Sequence, residues 1–148
     1  MATAPGLDVQ YLTMARRTGR THICDKNAAR HRLADAEAYL EVAQVMISDE
    51  AGATTNVATG NAVLAAIAAG DAICCAVAGS RYRGPDHRGA IDYLRQVTGD
   101  AEPVGLLRQI LDHKDQAHYG LNNVANSQAK AAIRKTAQLI DHARSYVT

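Results

Sequence analysis

The chain has to build its core without a single Phe or Trp. Six Tyr are its only aromatic residues, so the volume that large rings usually supply must come from elsewhere. Long Ala-rich runs stand in their place, densest over residues 62–78. Ala is the strongest helix former and a poor strand former, and small side chains let helices approach closely. The expectation is an all-α protein. A length of 148 residues suits one domain, and a domain of that size buries roughly 70% of the surface its unfolded chain exposes. With 47% hydrophobic and 21% charged residues the chain can form a packed core rather than stay disordered.

Charge narrows the function classes. A net charge of +1, from 16 Lys and Arg against 15 Asp and Glu, excludes a globally basic nucleic-acid binder and an acidic tail protein. Any binding patch is local. The three cysteines, Cys24, Cys74 and Cys75, show neither metal-ligand spacing nor a disulfide framework. They point to a reducing cytoplasm, with Cys74 and Cys75 as small apolar filler. Residues 1–6 lack the pattern of a secretory signal. The apolar stretch 62–78 is interrupted by Gly70-Asp71 and falls short of the ~20 residues a membrane span needs, so it reads as a core helix.

Residues 1–24 carry Arg16, Arg17 and Arg20 against Asp8 alone and read as a basic, partly ordered arm, with the bundle occupying residues 25–148. Leu33, Ala36, Leu40, Ala43 and Ile47 recur at helical spacing and define a first helix over residues 25–48. Thr54-Thr55-Asn56 forms an N-cap cluster for a second helix, which Gly79 stops. A basic turn at residues 81–84 leads to a third helix over residues 86–97, with Ala90, Ile91 and Leu94 inward and Gly99 closing it. The fourth starts near Pro103 and ends before Gly120, and the fifth follows the capping pair Asn126-Ser127 to about Tyr146. Short connections make this an antiparallel four- to five-helix bundle.

Three features could carry chemistry. On the second helix Leu64, Ile67, Asp71, Cys74 and Ala78 form a stripe that places a carboxylate in an apolar seam. A buried unpaired carboxylate is costly, so Asp71 needs a partner. Leu107, Ile110, Leu111, Lys114 and His118 continue one stripe on the fourth helix, which offers Lys114 first and His118 second. Such a pair either fixes helix register or marks a polar pocket. Next, residues 107–120 gather Arg108, His113, Lys114, His118 and Tyr119, a set with a candidate general base and candidate phosphate-stabilising cations. Arg108 and His113 lie about 140° apart on a regular helix, so they converge only through distortion or a second subunit. Finally, Arg81, Arg83, His87 and Arg88 surround a helix start where free amide groups favour anions. No glycine-rich phosphate loop, zinc signature or nucleophile elbow is visible, and no metal or cofactor is expected.

In order and spacing the chain resembles the HEPN superfamily (higher eukaryotes and prokaryotes nucleotide-binding domain), in particular compact HEPN-like proteins of actinobacteria. The matching pieces are Arg32-Leu33-Ala34-Asp35-Ala36-Glu37-Ala38-Tyr39-Leu40, the run Asn61-Ala62-Val63-Leu64-Ala65-Ala66-Ile67-Ala68-Ala69-Gly70-Asp71-Ala72-Ile73, the turn at residues 83–87, and Lys114-Asp115-Gln116-Ala117-His118-Tyr119-Gly120 before a long Ala-rich helix. Together they cover about residues 28–145. The resemblance implies a helical bundle that forms a homodimer. Its leading implication is a non-catalytic module that binds a nucleotide, RNA or a partner protein through a cleft near Arg83, His87, Lys114 and Tyr119. The alternative it implies is a metal-independent endoribonuclease of a toxin-antitoxin or defence system. There Arg108 would stabilise charge, His113 or His118 would be the general base, and an antitoxin or nucleotidyltransferase would be the partner.

Overall fold

The computed structural model describes residues 20–47, 52–114, 117 and 123–148. Among them, five helices and one small sheet follow the order β1 (Thr21–Ile23), α1 (Lys26–Ile47), α2 (Gly52–Ala78), β2 (Ser80–Tyr82), α3 (His87–Thr98), α4 (Ala101–Leu111) and α5 (Asn126–Tyr146). The protein is mostly helical, as the Ala-rich composition requires.

The Ala run of α2 makes it the central helix. Ala58, Ala62, Ala65, Ala66, Ala68, Ala69 and Ala72 are wholly buried, and α2 packs chiefly against α1 and α5, with α3 and α4 over its second half. By length and composition α2 would also suffice to cross a membrane. Its close packing on neighbouring helices gives that apolar surface a partner within the bundle. Because methyl groups fill little space, branched residues complete the core: Val63, Ile73, Leu94, Val97, Ile110, Leu139 and Ile140. Tyr93 joins them fully buried, beside Leu94 on a helix for which the sequence places only Ala90, Ile91 and Leu94 inward. Its hydroxyl forms a 2.5 Å hydrogen bond with Ser80 Oγ, which satisfies both buried groups.

Two helix ends follow the sequence reading. Gly79 and Gly99 adopt positive φ, 68° and 62°, and return their N–H groups to Cys75 and Arg95 carbonyls. Other ends differ. Helix α2 starts at Gly52, before the expected cap cluster, and Asn56 ties α2 to the segment before α5 by accepting from Val124 N at 2.6 Å. Helix α4 stops at Leu111 and gives way to a turn at Asp112 and His113, so the expected stripe does not run on unbroken to Lys114.

The sheet was not expected. Residues 21–23, assigned to the arm, pair antiparallel with β2, with Thr21 opposite Tyr82 and Ile23 opposite Ser80. A disulfide then joins Cys24 to Cys75, 51 residues apart, across a Cα separation of 5.4 Å. This corrects the reading of Cys75 as inert filler, and it removes the cysteine argument for a reducing compartment. Cys74 alone of the three is free, and it is buried.

Candidate functional site

A cavity of about 230 Å³ lies where three helix faces meet. Helix α2 contributes Ile67, Gly70, Asp71 and Cys74, which share one face at steps of three and four. His87, Ala90 and Leu94 of α3 form a second wall by the same spacing, with Tyr93 beside them. Leu107 and Leu111 of α4, with Lys114 just beyond, form the third. The rim is Tyr82, Gly84, Pro85 and Asp86. The walls are therefore largely apolar, with a carboxylate from the middle of α2 and charged or polar groups from Tyr82, Asp86, His87 and Lys114.

The rim is held by Tyr82. Its hydroxyl donates to Asp86 Oδ1 at 2.5 Å, and this bond holds the Asp86 carboxyl below the usual carboxylate range. The ring lies so close to Gly84 and Gly89 that a Cβ at either would fall 1.9 Å or 2.1 Å from the Tyr82 hydroxyl. Glycine at these two positions is what lets the ring lie there.

Asp71 is partnered, but not by the cation expected. Its Oδ2 accepts from Arg32 Nε at 3.2 Å, from Arg32 Nη2 at 3.1 Å and from Arg81 Nη1 at 3.3 Å. Lys114 shares the cavity wall with Asp71 without pairing to it; the two arginines meet the carboxylate instead, both at Oδ2. His118, the second candidate, lies outside the described residues. The Asp71 side chain is 14% exposed. Burial raises its pKa above the usual 3.8, outweighing the opposing pull of Arg32 and then Arg81. The geometry alone would suggest the reverse shift. Desolvation prevails because the arginines, 24% and 29% exposed, keep part of their charge in water.

A carboxyl whose folded pKa is raised contributes most to stability below its unfolded value, and that contribution is lost as pH rises through the folded value. Replacing Asp71 with Asn is therefore expected to flatten the dependence of stability on pH just above 3.8. Urea titrations at pH intervals measure it, and an unchanged slope would refute the burial account.

The same burial, followed by the charge of Asp71, pushes the Cys74 thiol well above its usual 9.0. It stays protonated at neutral pH and is a wall, not a nucleophile.

Of the residues singled out from sequence, the cavity brings together Asp71, His87 and Lys114. Arg83 is exposed and does not line it; its backbone N–H instead donates to the Arg20 carbonyl. Tyr119 lies outside the described residues. Arg108 is exposed and lines a separate open groove between α3 and α4, with His87, Arg88, Asp92, Arg95 and Asp112 among its neighbours. His113, in the turn after α4, does not line that groove. Among the described residues no group of three or more His, Cys, Asp or Glu is arranged to hold a metal ion.

The sequence reading places Arg81 in a basic, anion-favouring turn, but it does not join Arg81 or Arg32 to Asp71. Arginine is ordinarily a surface residue, and only the approach of β2 and α1 to α2 shows that two of them turn toward one carboxylate.

No protein-family model matches the chain, and no curated protein is found to be similar to it.

Proposed function

We propose that the protein is a HEPN-like nucleotide-binding module that holds its ligand without cutting it. The observation that carries this reading is the convergence of His87 and Lys114, from separate elements, on a cavity with apolar walls. An apolar pocket with a few placed polar groups is the usual form of a small-molecule site. Lys114 has no ion partner among the described residues, so its charge is available to a phosphate. The apolar walls formed by Ile67, Leu94, Leu107 and Leu111 suit the faces of a nucleobase. In this reading the protein is a homodimer.

One observation favours a role for RNA beyond a mononucleotide. His87 lines both the cavity and the groove of Arg88, Arg95 and Arg108, so a phosphate backbone in the groove could deliver a nucleotide to the cavity.

Calorimetric titration with adenosine monophosphate tests the reading. The expected result is saturable, salt-sensitive binding that Lys114→Glu weakens at least tenfold. Unaltered affinity in that variant, or RNA cleavage in EDTA that His113→Ala abolishes, would overturn it.

A further inference from the structure

All three arginine donors that reach Asp71 converge on a single oxygen, Oδ2. The other oxygen, Oδ1, accepts from no described residue. It is not a sealed orphan either: among the described residues, the wholly buried side-chain polar atom without a partner is Asn126 Oδ1. Asp71 lines the cavity, whereas Arg32 and Arg81 line the open groove beside the disulfide and not the cavity. The carboxylate is thus gripped at one oxygen by residues that lie outside the cavity Asp71 lines.

We propose that Asp71 is the specificity-determining residue of the cavity, its free Oδ1 accepting a hydrogen bond from an N–H donor on the ligand's base while Lys114 takes the phosphate. The inference rests on the nucleotide reading above and adds to it the end of the ligand that is recognised. Two features make Asp71 suited to the task. The arginines fix its rotamer through three bonds, so little side-chain entropy is lost when a ligand binds. The apolar surroundings of Ile67, Leu94 and Leu107 make an unmet polar group costly, so a ligand without the donor leaves the acceptor desolvated and is rejected. A site built to hydrogen-bond one group discriminates against the analogue lacking it far better than an apolar pocket does.

The test compares adenosine monophosphate with purine riboside monophosphate, which has the same ring and phosphate but no exocyclic amine and no ring N–H. Ribose phosphate serves as the baseless control. Wild-type protein is expected to bind adenosine monophosphate at least tenfold more tightly than purine riboside monophosphate. In Asp71→Asn the arginines are expected to claim the amide oxygen, turning a donor toward the ligand and abolishing or inverting that preference. Equal binding of the two purine ligands to wild type overturns the inference while leaving the nucleotide reading intact. Binding of none of the three phosphates overturns both. Should Asp71→Asn fail to fold, the wild-type comparison decides alone; a folded variant that retains the preference also overturns the role of Asp71.

Discussion

Reduction of the Cys24–Cys75 bond is expected to lower stability by about 4 kcal/mol. The bond closes a loop of 51 residues, and in the chain-entropy account a loop of that length restricts the unfolded ensemble by about this amount. For a chain of this size the loss corresponds to a drop of roughly 10 °C in Tm. The loss falls at a sensitive place. The bond tethers the strand β1 to the last turn of α2, β1 pairs with β2, and β2 leads directly into the cavity rim at Tyr82 and Asp86. A short two-stranded ribbon is marginal by itself, and the disulfide adds a covalent tie to the bundle beside the Ser80–Tyr93 and Arg81–Asp71 contacts of β2. Thermal unfolding of Cys24→Ser, beside wild type with and without dithiothreitol, measures the effect. The variant should match reduced wild type, and a Tm unchanged by reduction would show that the ribbon is held by other contacts.

The second large effect concerns Tyr93, the largest wholly buried side chain in a core that has no Phe or Trp. Truncation to Ala is therefore expected to cost about 4 kcal/mol, within the range for buried aromatic residues. It also leaves the Ser80 hydroxyl without its 2.5 Å partner. Tyr93→Phe isolates that part and is expected to cost only about 1 kcal/mol. Because Tyr93 also lines the cavity, the Ala variant enlarges it. Denaturant titration of both variants separates packing from hydrogen bonding; equal costs would mean that the hydroxyl, and not the ring volume, holds this part of the core.

These two sites also show where the sequence was legible. The helices could be read because each has a long apolar period and, at Gly79 and Gly99, a residue suited to the left-handed stop. The ribbon could not, since strands of three residues offer too little alternation to register as a pattern. The disulfide joins residues that only the packing of β1 against α2 brings together. Tyr93 reads as amphipathic from composition alone, and its burial depends on Ser80 arriving from another element.

Asp71 was identifiable as the anomaly because a carboxylate stood in an apolar stripe. Its partners were not, because a stripe that pairs Asp71 with Lys114 or His118 requires a fourth helix continuous to His118. The helix ends at Leu111, and the charge is met instead from α1 and β2. Of the expected binding cluster, His87 and Lys114 share the cavity, whereas Arg83 faces water outside it. Periodicity can place residues on a face of one helix, but which faces meet is decided by the packing of the whole bundle.

The most direct test of the nucleotide site is amide chemical-shift mapping by NMR during titration with adenosine monophosphate. Binding in the cavity is expected to move the amide signals of Gly70, Asp71, Ala90, Leu107 and Leu111 together and saturably, with those of the Arg88 and Arg95 groove shifting less. Shifts confined to Arg88, Asp92, Arg95 and Arg108, or no saturable shifts, would contradict the assignment of this cavity as the binding site.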